Sequence, residues 1–362
     1  MGVARQNKSG ARAEWLPRRL LVTRSSMGFA HGRAIAERAA AHGVEVILLP
    51  GDRLALDMPD DPRRAYAAAK STLAVVVAPP SRRRLQPIAP SADWRVDLAE
   101  GCPAHCSYCY LAGSLKGAPI TRVYANVDEI LDALPAYLGD GSVTSRSRDR
   151  AHEGTTFEAS CYTDPLALEP ITGVLSATIA WFGRWDAPAQ LRFTTKFADV
   201  APLLDIDHRR RTRMRASINP PMFARFEGGT APVAARLAAL GRMAVAGYPI
   251  GLTIAPIIAA EGWRDAYGAL LVDAAAILAK IPGIDLTIEL ITHRYTAGSK
   301  AVLESWYPGS SLEMGQANRT IKRTKFGSEK HVYDAVTMRA MRSFFEERIA
   351  AVLPMGRILY WT

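Results

Sequence analysis

Only four cysteines occur in 362 residues, and their placement excludes a disulfide framework: Cys102, Cys106 and Cys109 fall within eight residues, while Cys161 stands alone. Long apolar runs are absent as well. The longest weakly polar stretch, residues 248–260, is too short to span a bilayer and is interrupted by Pro249 and Pro256. The basic segment 1–24 contains Arg18-Arg19, but its apolar run stops at Val22, so neither an export signal nor a membrane contact is expected. These absences predict a cytoplasmic protein whose thiols stay reduced. There is no internal repeat, and no Gly-rich phosphate loop follows the first strand, which leaves the N-terminal region without a chemistry of its own. Lysine is scarce, nine residues among 45 Lys+Arg, so arginine carries the net charge of +10. Arginine suits bidentate phosphate contacts, and the surplus leans the surface toward polyanions without identifying one.

What is present, with 49% hydrophobic and 22% charged residues, is the composition of an ordinary folded protein. Residues 19–79 read as strand, helix, strand, helix, strand: 19–23, 32–42, 44–49, 62–70 and 72–77. A Pro- and Arg-rich stretch, 79–90, follows as a boundary. Further strands are expected at 95–99, 156–161, 190–195, 212–218, 250–257 and 286–291, and helices at 127–138, 168–182, 200–204, 232–246 and 263–280. Six strands each followed by a helix imply parallel strands with right-handed crossovers, in a partial or full β/α barrel or, alternatively, a flat doubly wound sheet. In either, chemistry gathers at the C-terminal strand ends. Residues 306–330 are long, basic and aperiodic, a binding element or a loop.

Gly101-Cys-Pro-Ala-His-Cys-Ser-Tyr-Cys-Tyr110 follows a strand directly. Its Cys-x3-Cys-x2-Cys spacing lets one short loop hold three irons of a [4Fe–4S] cubane and leave the fourth open for chemistry. A zinc site completed by His105 or a distant histidine is the alternative, but structural zinc loops use paired Cys-x2-Cys, and no second pair exists.

The spacing, with an aromatic on each side of Cys109, resembles the radical S-adenosylmethionine superfamily. The motifs 69–73 (Ala-Lys-Ser-Thr-Leu), 101–111, 122–124 (Arg-Val-Tyr), 157–161 (Phe-Glu-Ala-Ser-Cys), 193–196 (Phe-Thr-Thr-Lys), 217–219 (Ser-Ile-Asn), 255–257 (Ala-Pro-Ile), 261–263 (Glu-Gly-Trp) and 289–294 (Glu-Leu-Ile-Thr-His-Arg) resemble, in order, the spore photoproduct lyase family. The resemblance implies an α/β fold: a partial (β/α)6 barrel of radical S-adenosylmethionine type at 91–310, an N-terminal α/β region at 1–90, and a C-terminal extension at 311–362 with a basic β-hairpin and helix. It implies a [4Fe–4S] cluster on Cys102, Cys106 and Cys109, with S-adenosyl-L-methionine bound near Lys196, Ser217, Asn219, Ala255 and Thr163. Cys161 would give hydrogen to a thymine radical, and Tyr108 and Tyr110 would relay hydrogen back to its thiyl. The implied reaction is repair of a methylene-bridged thymine dimer in double-stranded DNA by a monomer served by a flavodoxin- or ferredoxin-type electron donor.

Two basic tracts suit DNA. Residues 208–215 hold five arginines, and Arg319, Lys322, Arg323, Lys325 and Lys330 surround Phe326, so that cations could grip phosphates while a ring wedges between bases. The resemblance assigns DNA contacts to Lys325, Phe326, Lys330 and Arg294. Lys325 and Phe326 stand where the family has Arg-Tyr, Thr163 where it has Ser, and Tyr162 and Pro165 also depart from it. These departures keep open a family enzyme acting on a different lesion or nucleoside; a separate alternative is a non-catalytic iron–sulfur protein that binds nucleic acid.

Overall fold

Parallel strands need a crossover to return to the same sheet, which is why the alternation of strands and helices builds layers rather than hairpins. The structure, a computed structural model, describes residues 15–54, 56–114, 119–148, 150–315, 319–323 and 329–362. Strands Arg19–Val22, Glu45–Leu48 and Thr72–Val76 lie parallel, connected through helices Ala30–Ala41 and Pro62–Lys70, close to their expected bounds. Two short strands extend this layer, Thr121–Tyr124 parallel to Thr72–Val76 and Ala99–Glu100 antiparallel to Thr121–Tyr124. The sequence pattern assigns no strand to 121–124. Four residues carry too little periodicity to say which edge they will join.

The second sheet has eight strands in the spatial order Gly356–Trp361, Leu286–Thr292, Ile250–Ile257, Thr212–Ile218, Ala189–Thr195, Thr155–Ala159, Ala92–Val96, Gln86–Ile88. The six predicted strands are neighbours in chain order. The first of them ends at Val96 rather than Ala99, because Ala99–Glu100 leaves to pair in the other sheet. Gln86–Ile88, inside the stretch taken as a boundary, adds an antiparallel edge strand.

Internal packing divides the chain into two units, with the boundary inside the Thr212–Ile218 strand: Met1–Pro103, Ala118–Met214 and Ala246–Tyr248 in one, Ala104–Gly117, Arg215–Val245 and Pro249–Thr362 in the other. The first is centred on Phe157, Phe182 and Leu191, all fully buried, with Trp181 and Trp185 in ring contact. The second is centred on Tyr267, Phe345, Leu252 and Ile288. Each such apolar side chain contributes about 1.5–3 kcal/mol on burial.

Helices break where local chemistry demands it. The helix expected over 168–182 is two, Pro165–Thr172 and Val174–Arg184, bent by 99°. Gly173 sits between them at φ 59°, a left-handed conformation that suits glycine. Buried Glu169 accepts hydrogen bonds from the Leu175 and Ser176 amides, capping the second helix. Pro135 likewise ends Val127–Leu131 early and leaves a single-turn helix, Leu134–Tyr137. Among the described residues no single helix is long and apolar enough to cross a membrane.

Asp93 staples the loop at 143–145 to the sheet. It is 1% exposed and accepts hydrogen bonds from the amides of Val143 (2.8 Å), Thr144 (3.0 Å) and Thr156 (3.0 Å). Burial raises its pKa, but these donors and the Thr144 hydroxyl outweigh it and hold the group at about 2, below the ordinary 3.8. Its stabilisation is therefore present above the unfolded value and lost as pH falls through the folded one. Asp93→Asn is expected to lower the melting temperature at pH 7 and to lose that deficit as the pH approaches 2. An equal deficit at both pH values would contradict the ionic account.

Candidate active site

In the first unit the cysteine loop begins at a constrained glycine. Gly101 has φ 78°, and a Cβ there would meet the Ile120 carbonyl at 2.5 Å, so only glycine turns the chain from Ala99–Glu100 into Cys102. The buried Lys70 ammonium, from the 69–73 motif, donates to the Cys102 carbonyl and holds the entry to the loop. At the end of Thr155–Ala159, Ser160 adopts φ 51° and its hydroxyl accepts from the Leu98 and Ala99 amides, each at 3.2 Å. This uncommon turn releases Cys161 from the strand, half-buried and outside any disulfide.

The residues after Cys161 are tied down individually. Arg95 donates to the Tyr162 hydroxyl at 2.8 Å, lies 4.5 Å from its ring centroid, and pairs with Asp97 at 3.0 Å. Asp164 caps the next helix through the Ala167 amide and also accepts from the Thr195 hydroxyl and the Lys196 amide, both at 2.7 Å. One carboxylate thus joins the Cys161 turn to the strand end that carries Lys196. Between them, the Thr163 hydroxyl is buried with no hydrogen-bond partner among the described residues. A buried orphan of this kind is what a ligand-contacting hydroxyl looks like before the ligand binds.

In the second unit a two-stranded ribbon sets the rest of the loop. Glu227 pairs with Cys106 and Gly228 with His105, and the Ser107 amide donates to the Phe226 carbonyl at 2.9 Å. The Cys109 amide donates to the Cys106 carbonyl at 3.2 Å, closing a tight turn around Tyr108. Tyr108 is 8% exposed and its hydroxyl donates to Glu227. Burial first, then the charges of Cys106 and Glu227, raises its pKa well above the ordinary value and keeps the phenol protonated. Glu227 pairs with buried Arg236 at 2.6 Å, and Arg236 also donates to the Ser217 carbonyl at 2.8 Å. Asn219 is shared between Glu227 (3.4 Å) and the Tyr267 hydroxyl (2.9 Å). The Ser217 hydroxyl reaches the Ala255 carbonyl at 3.4 Å. Ser217, Asn219 and Ala255 are therefore gathered around one buried carboxylate and its arginine.

Tyr110 differs from its neighbour: it is 64% exposed. Burial lowers the pKa of Arg294, and burial followed by the positive charge of Arg294 lowers that of Lys330, so these two cations lie within electrostatic reach of one another. Lys325 and Phe326 lie outside the described residues. The arginine tract at 209–215 corrects the expectation of a phosphate-gripping face. Arg213 and Arg215 are fully buried in Thr212–Ile218, the first against Gln190 (3.3 Å), the second paired with Glu289 at 2.6 Å. Arg211 pairs with Asp186 at 3.0 Å, so only Arg209 and Arg210 of the five are exposed.

Three thiols in one loop, each anchored through its own or a neighbouring backbone group, suit a three-cysteine cubane. Among the described residues no three His, Cys, Asp or Glu side chains converge as they would on a single ion. With the orphaned Thr163 hydroxyl near Lys196, the residues fit a [4Fe–4S] cluster and an S-adenosylmethionine ligand. The sequence model of the family described as spore photoproduct lyase matches residues 15–362. The chain belongs to the spore photoproduct lyase family. It is 34% identical over 350 residues to spore photoproduct lyase of Bacillus subtilis, across 96% of this chain and 99% of that one. The Clostridium acetobutylicum protein of the same name is 29% identical over 346 residues, across 95% and 98%. A solved cysteine-to-alanine variant of spore photoproduct lyase with dinucleoside spore photoproduct superposes with a TM-score of 0.88 at 32% identity, over 97% of this chain and 100% of that one. A further variant, with bound AdoMet and the same dinucleoside, matches with the same TM-score and coverage. Spore photoproduct lyases are radical S-adenosylmethionine enzymes, so the fold and both cofactors expected from the sequence hold for this chain.

Sequence reasoning overlooked Lys70, Arg95, Asp164, Glu227 and Arg236 as parts of the site. Lys70 and Asp164 stand within or beside quoted motifs, and that adjacency was the available signal. Glu227 and Arg236 carried none: an acidic residue in a Gly-Gly turn and an arginine in an Ala-rich helix read as solvent-facing.

Proposed function

We propose that this chain repairs DNA by reversing the methylene bridge between adjacent thymines. The observation that carries the reading is the half-buried thiol of Cys161, outside any disulfide and following the Ser160 turn at a strand end, in a chain with three further thiols in one loop. Cys102, Cys106 and Cys109 would hold the cluster, and Lys196, Thr163, Ser217, Asn219 and Ala255 are each candidate contacts for S-adenosylmethionine. Bound and reduced, these cofactors would supply the radical chemistry that opens the lesion. The protein's own work is placement and quenching. Cys161 gives its thiol hydrogen to the thymine radical left after the bridge breaks, since S–H is weaker than most C–H bonds. Tyr108 and Tyr110, whose O–H bonds are comparable to a thiol's, relay to the thiyl a hydrogen drawn back from 5′-deoxyadenosine, so the cycle closes without net oxidation or reduction. Arg294, Lys325, Phe326 and Lys330 meet phosphate or base. A cytoplasmic monomer reduced by a flavodoxin or ferredoxin and acting on duplex DNA completes the reading.

The test is incubation of the anaerobically reconstituted, reduced protein with a dinucleotide spore photoproduct, scored for restored thymidylyl-thymidine. Restoration is expected. The second reading, a different lesion, draws on the Tyr162 ring beside Cys161 and its grip by Arg95. S-adenosylmethionine cleavage without dinucleotide repair would favour it.

A further inference from the structure

Arg319 opens the hairpin strand Arg319–Arg323 in a tract expected to face DNA, yet its side chain turns inward. Its guanidinium donates to the His293 carbonyl at 2.7 Å and to His293 Nδ1 at 3.0 Å. The same group lies 3.6 Å from the Tyr333 ring centroid and 5.6 Å from that of Tyr295. The returning strand, Glu329–Tyr333, is fastened at the same place. Tyr295 and His331 exchange backbone hydrogen bonds at 3.2 and 2.8 Å, and their rings stack at 4.8 Å. The Tyr333 hydroxyl accepts from the Ala259 amide at 3.0 Å. Lys322 and Arg323, farther along the first strand, are exposed.

Both strands of the hairpin are therefore fixed at their base, and the arginine does what a lysine could not. A planar fork can reach a carbonyl and a ring nitrogen at once while stacking on an aromatic face; an ammonium on a flexible stem cannot. His293 in turn precedes Arg294, the residue whose charge Lys330 feels.

We propose that Arg319 is a positioning residue for duplex DNA. It rivets the hairpin to His293, so that Lys322, Arg323 and Lys330 meet phosphates at a fixed offset from Arg294. This rests on the reading that the substrate lesion lies in duplex DNA. A dinucleotide has no flanking duplex and needs no such offset.

Arg319→Lys and Arg319→Ala holoenzymes test it, assayed on a duplex oligonucleotide carrying spore photoproduct and on the dinucleotide. Duplex affinity is followed by fluorescence anisotropy at several salt concentrations. Both variants are expected to lose about tenfold more in kcat/KM on the duplex than on the dinucleotide, with no rescue by lysine. The salt slope of the alanine variant should fall by more than the roughly 0.9 of a single lost phosphate contact, because a displaced hairpin loses several together. An Arg319→Lys protein that behaves as wild type overturns the proposal, since a simple phosphate contact would survive the change. Equal losses on both substrates overturn it too. If the wild type repairs neither substrate, the repair reading fails, and the anisotropy of the two variants still decides the rivet.

Discussion

Cys161→Ala will leave reductive cleavage of S-adenosylmethionine running while the yield of thymidylyl-thymidine falls by about an order of magnitude or more. Hydrogen transfer from a thiol to a carbon radical is downhill, and a methyl group offers only a stronger C–H bond. The thymine radical then persists until it meets another partner, and the substrate ends in side products. Cys161→Ser should behave as the alanine variant does, because an alcohol O–H is stronger than S–H. Neither change should unfold the protein: Cys161 is half-buried, and the turn that presents it is held by the Ser160 hydroxyl and the Asp164 carboxylate instead. Mass spectrometry of the products, with 5′-deoxyadenosine quantified in the same samples, checks the result. Clean repair at the wild-type rate would remove Cys161 from the mechanism.

Glu227→Ala should strongly destabilise the protein. It leaves the Arg236 guanidinium, whose side chain is 2% exposed, without its carboxylate and the Tyr108 hydroxyl without its acceptor. Breaking a buried ion pair from one side costs about 3–5 kcal/mol, because the remaining charge stays desolvated. The loss falls beside the proposed cluster ligand Cys106, since the Glu227 backbone pairs with it. Chemical denaturation and iron content after reconstitution should both fall. Glu227→Leu combined with Arg236→Met should recover much of the stability, as replacement of a whole buried pair by apolar groups often does. It should not recover the order that Glu227 imposes on the Tyr108 hydroxyl, so repair per S-adenosylmethionine consumed is expected to stay low. A cost below about 1 kcal/mol for Glu227→Ala would mean that water reaches the pair.

The strands Thr212–Ile218 and Ile250–Ile257 match their predicted bounds residue for residue. Each follows a local breaker, the charged turn before Thr212 and Pro249 before Ile250, so a local window contains much of the signal. The helix over 168–182 failed at Gly173 for a reason that only the backbone shows, a left-handed turn stabilised by Glu169 from the preceding helix. The strand Gly356–Trp361 and the helix Ala297–Trp306 went unassigned, and the helix Ala335–Val352 was expected in the C-terminal extension only without bounds. Their stability comes from what they pack against, such as the Trp263 and Tyr267 rings on Phe345.

By itself the sequence determined the chemistry: three thiols at cubane spacing, a fourth set apart, and phenols beside the last ligand, all properties of residue type and local order. Only the tertiary structure decided which charges are available for function. Arg213, Arg215 and Arg236 are engaged by buried partners and Arg319 by His293, while Arg209, Arg210 and Arg323 remain at the surface. An arginine reads the same in a sequence whether it faces phosphate or carboxylate. Its partner is chosen by burial, where an unpaired charge is too costly to keep, and burial is a property of the fold.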